Sequence, residues 1–515
     1  MLKKVIQLII VSTGLLLSIY LYGVQMETAP GACFAGGCET VLTSDVAKIF
    51  GQPVALYGII YFLVLALSYV FDFFATRDKQ LQRSLRLLRL VLFTGGIGFL
   101  SYLRYLEFFV IHEICGWCWL VMFTVLVLAA IYAVSERIWL LSNLYRRLLK
   151  PVLFKFDPER VHNFFIASGR LIGRCPLPRL LLRKFFQFKH PGLKQEIAGV
   201  SFEGPVGLSA GFDKDAQLGN VLGQIGFGFA ELGSVTKGSY PGNTGKRLVR
   251  LPELKSIAVY FGLKSSGVDK FLANLEAARH RILPAMASVA RTNGTCESTV
   301  EEAVADYVFT FIKVAACPAV EMISINISCP NATTGEIFTM PANLPKLLSP
   351  LADAREKLGI TKPIFIKLPL AKSWDDLDKL LQIIVNYKFT GVIISNLQKD
   401  RSRLADTKGK QFVVSAEING GLSGLPTQKQ SDEYIFKTFA KYGQKLKIIG
   451  VGGIFSALDA YRKIKNGASL VGLVTGMIYQ GPQLISEINR GLVELLQGDG
   501  YENIAQAIGA AHKIR

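Results

Sequence analysis

The sequence has no arginine-rich tail and no recognisable nucleic-acid-binding motif, although 58 lysines and arginines outnumber 39 aspartates and glutamates to give a formal net charge of +19. This argues against a nucleic-acid partner, because the cations gather beside apolar runs and on residues 145–189, where an anionic lipid surface suits them better. No Gly/Ser-rich linker joins the first third of the chain to the rest, so the joint reads as continuous helix rather than a loose tether. No convincing cleavage site follows the first apolar run, residues 5–24, which therefore reads as a retained helix flanked by Lys3 and Lys4 rather than a signal peptide. At 515 residues the chain exceeds what one core organises, and at least two domains are expected.

What is plentiful is apolar sequence. Hydrophobic residues make up 50% of the chain, with the excess in the first 135 positions. Four runs, residues 5–24, 54–74, 90–110 and 115–134, each approach the ~20 residues a helix needs to cross a bilayer. Cations cluster after the second run (Arg77, Lys79, Arg83, Arg86, Arg89) and after the fourth (Arg137, Arg146, Arg147, Lys150). The bias predicts cytoplasmic termini. The loop with Cys33 and Cys38 and the start of the fourth run with Cys115 and Cys118 then face the other side, the periplasm if this is a bacterial inner membrane, where thiols can be oxidised.

These cysteines form a C-x4-C and a C-x-x-C pair. A cysteine at a helix N-terminus has its thiolate stabilised by the helix dipole and free N–H groups, which activates it for exchange. Two such pairs can relay electrons; structural disulfides clamping loops and a tetrahedral zinc site are the other readings of the same residues. A relay in the bilayer needs a lipid-soluble acceptor, and a quinone held near Cys118 would serve.

The run GACFAGGCETVLTSDVAKIFGQPVALYG followed by ICGWC resembles the vitamin K epoxide reductase family over roughly residues 1–138. The resemblance implies a four-helix transmembrane bundle in which Cys115 and Cys118 are the active pair beside the quinone. It also implies that Cys33 and Cys38 exchange with a thioredoxin-like periplasmic thiol protein, and that Ser44 is the family's loop serine.

From about residue 206 the texture changes to short β-rich runs alternating with helical stretches: VGLSAG, FAELGSVT, PAMASV, MISINISCPN, PIFIKLP, GVIISNL, KIIGVGG and SLVGLVTG. Eight such runs predict a (β/α)8 barrel. The rival, a doubly wound open sheet, normally has its phosphate-binding glycines after the first strand, whereas here they come last. Gly452, Gly453 and Gly476 let backbone amides approach a phosphate, and with Ser423, Gly424 and Lys367 they suggest FMN. In INISCPN, Cys329 ends a strand where barrel catalysis sits; a thiol of ordinary pKa near ~8.5 becomes a general base with modest tuning. Asn326 and Asn331 can hydrogen-bond a polar planar substrate. The alternative is a small buried apolar cysteine, the reading given to Cys175, Cys296 and Cys317.

The motifs LYRRLLKPVLFKFDPERVHNFF, GLSAGFDKD, FGFAELGSVT, GNTGKRLVRLPE, NISCPN, GGLSG and GVGGI resemble the quinone-linked, membrane-associated class of dihydroorotate dehydrogenases over about residues 141–495. By that resemblance FMN is held by Ala210, Gly211, Lys214, Ser234, Asn326, Lys367, Ser423, Gly424, Gly452, Gly453, Thr475 and Gly476. The substrate, dihydroorotate or a related molecule, is held by Lys214, Asn326, Asn331 and Asn396, Cys329 is the base, and electrons leave to quinone. The sequence departs from the pattern in several places. Cys329 is the base of the soluble class, where the quinone-linked class has serine. Val259 stands for a substrate-binding asparagine, Leu397 for a hydroxyl residue, Ala332 for a threonine, Val474 for a tyrosine near the quinone channel, and Ser288 for an FMN-contacting asparagine. Each lost partner leaves a substrate group unpaired at ~1–3 kcal/mol.

The expectation is therefore a multi-pass membrane oxidoreductase in three parts. Residues 1–138 form the thiol/quinone bundle, residues 139–195 an amphipathic membrane-associating segment with leucines inward and cations at the headgroups, and residues 196–515 a cytoplasmic FMN barrel. No metal is expected. An ordinary surface helix is the alternative for the segment, and a non-catalytic FMN-binding appendage the alternative for the barrel.

Overall fold

A computed structural model describes the chain except residues 1, 28–36, 75–77, 295–298, 330, 332–336, 405–410, 412, 414–417 and 514–515. Cys33, Cys296 and Ala332 lie outside the described residues. The chain divides into two compact units, Met1–Arg137 and Ile138–Arg515.

Among the described residues, the first unit holds four long helices, α1 (Leu2–Gln25), α2 (Val54–Phe74), α3 (Lys79–Leu106) and α4 (Gly116–Ser135). All four are long and apolar enough to span a membrane. Their outward faces carry Ile9, Leu16, Leu67, Phe71, Val91 and Phe123, a surface suited to lipid rather than water. Small residues set the packing: a Cβ on Gly14 would fall 2.2 Å from the Phe62 ring, so glycine lets α1 and α2 approach closely.

Helix α3 departs from expectation by beginning well before residue 90. The Asp78 carboxylate accepts the N–H groups of Gln80 and Leu81 at 2.8 and 3.0 Å, an N-cap that starts the helix in the basic stretch. Arg83, Arg86 and Arg89 therefore ride on its first turns instead of occupying a loop. Arg89 points inward, 4% exposed, donates to the Ser68 carbonyl and stacks over the Tyr69 ring. Beyond Leu106 the helix continues as one π-helical stretch, Glu107–Ile111.

The second unit opens with helical residues through Leu153, then a hairpin of α5 (Pro158–Arg174) and α6 (Pro176–Phe186). Proline at the first position of each has a fixed φ that fits a helix start and no N–H to lose. Gly169 and Gly173 allow α5 to sit on Leu218, Asn220 and Val221 of the barrel. The hairpin also presents Phe164, Leu171, Leu177 and Leu180 outward. Leu144, Leu148 and Leu149, expected inward, are exposed as well. Cys175, expected to be buried, is an exposed thiol, because it is the N-cap joining the two helices.

The barrel strands are β1 (Val206–Leu208), β2 (Phe229–Val235), β3 (Ala285–Val289), β4 (Met322–Asn326), β5 (Ile364–Lys367), β6 (Gly391–Ile394), β7 (Lys447–Val451) and β8 (Leu470–Leu473). Each pairs in parallel with the next, and β8 pairs with β1 to close the barrel. Closure excludes the open sheet. The floor is filled by Phe229, Met286, Met322, Phe365, Ile393, Ile449 and Leu470, capped by Ile197 and Phe202 of a β-hairpin. With that end packed solid, a ligand can enter the barrel only at the C-terminal ends of the strands.

Candidate active sites

At that open end lies a cavity of about 510 Å³. Its wall includes every barrel residue expected to hold cofactor or substrate, Ala210, Gly211, Lys214, Ser234, Asn326, Asn331, Lys367, Asn396, Ser423, Gly424, Gly452, Gly453, Thr475 and Gly476, together with Cys329. Strand geometry explains the convergence. Asn326 and Lys367 are the last residues of β4 and β5 and are paired in register, while the glycines follow β7 and β8.

The side chains form three polar groups, around Asn326, Asn331 and Lys367. Asn326 Nδ2 donates to Ser234 Oγ at 2.8 Å, and Ser234 Oγ lies 3.0 Å from Ser288 Oγ; the serine at 288 thus reaches the site through Ser234. Asn331 Nδ2 donates to the Val259 carbonyl at 2.8 Å, and Asn396 Nδ2 to the Ser328 carbonyl at 2.7 Å. Lys367 Nζ pairs with Glu231 at 2.9 Å, both nearly sealed from solvent. Glu231 also accepts from the Ala210 amide and Ser324 Oγ. Glu231 was not singled out in the sequence, yet a lone carboxylate inside the apolar strand FAELGSV was the available signal.

The shape fits a planar, phosphorylated group. Gly211 has φ +103° and nothing within 4 Å of where a Cβ would project, which leaves backbone open beside the cavity. Gly452 has φ +116°, and a Cβ there would fall 2.6 Å from Thr427 Oγ1. Two buried hydroxyls of the cavity wall, Ser209 Oγ and Ser395 Oγ, have no hydrogen-bond partner among the described residues, which leaves donors for a ligand.

Electrostatics favour an anion. Lys214 has its pKa pulled down to about 8, chiefly by burial and then by the neighbouring Lys264 cation, and its Nζ sits 3.8 Å from the Phe261 ring centroid. His162 is lowered to about 3, mainly by burial and then by Lys214 and Lys264, so its ring is neutral at working pH. Val259, Leu397 and Val474 line the cavity with aliphatic side chains. From the polar mouth the cavity runs toward the helical hairpin, where Val161, Phe165, Ile172, Leu182 and Phe186 line it.

The first unit has its own cavity of about 450 Å³. Cys118 lines it, with Tyr61, Phe99, Leu103, Arg104 and Glu107. Cys115 is the N-cap of α4: its sulfur accepts the Cys118 amide at 3.3 Å. Both are free thiols. Cys115 is fully buried against Cys38 and Val41. Cys38 is a disulfide cysteine and begins a short helix, Cys38–Thr43. A Cβ on Gly37, just before it, would fall 2.7 Å from Glu113 and 2.9 Å from the Ile114 carbonyl, so this loop is seated on the approach to Cys115. Ser44 Oγ donates to the Val41 carbonyl at 2.7 Å and ends the short helix outside the cavity wall. Among the described residues, no group of three or more His, Cys, Asp or Glu could hold a metal ion.

A closed parallel barrel with a lysine-bearing cavity at its C-terminal mouth, preceded by an apolar bundle carrying a C-x-x-C thiol pair, is the arrangement of a membrane oxidoreductase. Residues 192–496 match the Dihydroorotate dehydrogenase family, and residues 5–133 match the Vitamin K epoxide reductase family. A dihydroorotate dehydrogenase (quinone) of Christiangramia forsetii is 36% identical over 351 residues, covering 68% of this chain and 99% of the relative. One from Trichodesmium erythraeum is 33% identical over 390 residues, 72% of this chain and all of the relative. A solved dihydroorotate dehydrogenase of Eimeria tenella in complex with ferulenol aligns with TM-score 0.62 at 25% identity over 69% of this chain and 96% of its own. The chain belongs to the dihydroorotate dehydrogenase family, with a vitamin K epoxide reductase family domain ahead of the barrel.

Proposed function

We propose that the chain is a bifunctional membrane oxidoreductase of a bacterial inner membrane. In residues 196–515, FMN-dependent oxidation of dihydroorotate or a related substrate is coupled to quinone. In residues 1–138, dithiols of a periplasmic thioredoxin-like protein are oxidised at the expense of the same quinone pool, while residues 139–195 associate with lipid. The observation that carries the barrel reading is the convergence of Cys329, the asparagines and Lys367 on one cavity at the strand ends.

FMN, when bound, would accept a hydride and return its electrons to quinone. The chain's own residues supply the rest. Cys329 Sγ takes the ring proton, Asn326, Asn331 and Asn396 orient the polar ring, and Lys214 and Lys367 supply positive charge where anionic groups bind. In the first unit, Cys115 faces the loop of Cys38 and Cys118 faces the apolar cavity, which supports a relay from loop sulfur to helix sulfur to quinone.

Flavin absorbance on mixing with dihydroorotate tests the barrel: prompt bleaching in the wild type, lost in Cys329→Ala, supports it. Dithiol-driven quinone reduction, lost in Cys118→Ser, tests the bundle. A second reading, that the barrel binds FMN without oxidising dihydroorotate, is favoured by the aliphatic Val259 and Leu397 in the cavity wall; bound flavin that no dihydroorotate bleaches would establish it.

A further inference from the structure

In the first unit, the bilayer-spanning part of the chain buries an ion pair that the relay as described leaves unused. Arg104 and Glu107 lie one turn apart at the end of α3, their charged groups 2.8 Å apart and 7% and 2% exposed. Charges within a spanning helix are costly, and a buried pair is about as stable when replaced by apolar side chains of similar size. Helix stability therefore gives little reason to keep this one.

Its surroundings supply a reason. Both residues line the cavity that Cys118 lines. Arg104 Nε and Tyr61 Oη, both at this cavity, have no hydrogen-bond partner among the described residues, and the Glu107 carboxylate lies within reach of the Trp119 side chain and the Cys115 backbone as well as of Arg104. The arginine is braced, its guanidinium 5.4 Å from the Trp119 ring centroid. Glu107 begins the π-helical stretch, a local widening of the helix that occurs often at functional sites. The remaining wall is mostly apolar, with Leu21, Phe62, Phe99, Leu100, Leu103 and Val125, and includes Ser18, Gln25 and Tyr57. A flat ring with an apolar tail and carbonyl oxygens at one end matches this division.

We propose that Arg104 and Glu107 are the polar end of the quinone pocket: Arg104 polarises a quinone carbonyl, and Glu107 carries the proton from the thiol pair to the quinone oxygen. The proposal rests on the dithiol-to-quinone reading of the first unit. In one turnover Cys115 and Cys118 lose two electrons and two protons as their disulfide forms, and the quinone gains both to become quinol. Glu107 takes up the two thiol protons one after the other and releases each to a quinone oxygen, ending in the state in which it began.

The test uses the full-length protein in detergent, dithiothreitol as reductant and a short-chain ubiquinone as acceptor. Wild type should reduce the quinone and Cys118→Ser should not; if wild type fails, the dithiol-to-quinone reading itself is refuted. Given an active wild type, Glu107→Gln should lower kcat by roughly a hundredfold or more, the usual scale for losing a positioned acid–base group. The KM for quinone should change little, and dithiothreitol should reduce the Cys115–Cys118 disulfide at the wild-type rate, read by alkylation. Glu107→Asp should recover part of the loss, and Arg104→Gln should raise KM. Undiminished kcat in Glu107→Gln overturns the proposal. So does a paired loss of melting temperature and activity in each single variant that the apolar double variant Arg104→Leu/Glu107→Leu restores, because that pattern marks a purely structural pair.

Discussion

Restoring the two missing polar side chains of the barrel cavity should restore speed toward dihydroorotate. Val259 and Leu397 both line the cavity. The backbone around them is fixed: the Val259 carbonyl holds Asn331, and the Leu397 amide donates to Asn396 Oδ1 at 3.0 Å. A substrate amide or carbonyl facing either side chain is left without a partner, at ~1–3 kcal/mol each. Neither residue is fully buried, so water can partly compensate and the lower half of that range applies. Two losses of ~1–2 kcal/mol sum to ~2–4 kcal/mol, or about thirty- to several-hundred-fold at 1.4 kcal/mol per decade. Stopped-flow bleaching of the flavin by dihydroorotate in Val259→Asn/Leu397→Thr should therefore exceed the wild-type rate at low substrate by that factor. If the double variant, with flavin still bound, is no faster than wild type, these positions do not limit dihydroorotate, and the true substrate lacks groups that meet them.

Three further outcomes follow from the same cavity. Lys214 has a depressed pKa of about 8 in the free protein, and an anion bound beside it favours its protonated form. Binding of an anionic substrate should therefore take up a proton near and above pH 8, with affinity highest below that pH and falling as pH rises through it; calorimetry in buffers of different ionisation enthalpy reads the uptake directly. Glu231→Gln leaves the buried Lys367 without its counter-charge and should cost ~3–5 kcal/mol in the flavin-free protein, seen as a drop in the barrel's unfolding temperature; an unchanged temperature would show that Lys367 finds another partner. Gly452→Ala must adopt φ +116° and place its Cβ 2.6 Å from Thr427 Oγ1. It should purify with less flavin per barrel than wild type, measured by absorbance ratio.

The features legible in the sequence were those carried by repetition. Four apolar runs announced four helices, and eight β-rich runs ending in glycine or polar residues announced eight strands, since periodicity and length survive any detail of packing. That the residues named at the strand ends would meet at one cavity was legible because a barrel gathers those ends. What escaped was set by single contacts. The start of α3 was hidden because Asp78 caps a helix inside a stretch whose arginines look like a loop. The exposure of Cys175 depends on a hairpin corner that composition does not show. Glu231, Arg104 and Glu107 are isolated charges within apolar runs, a signal present in the letters but meaningful only once the facing residues are known.

The packed floor of the barrel has a consequence for how this protein can change. Phe229, Met286, Phe365 and their neighbours fill the floor between seven of the strands, while the cavity-lining groups gather at the other end. Endurance and chemistry are thus written into opposite tips of the same segments. A lineage could exchange one nutrient for another by editing the rim alone, and the scaffold beneath would not register the difference.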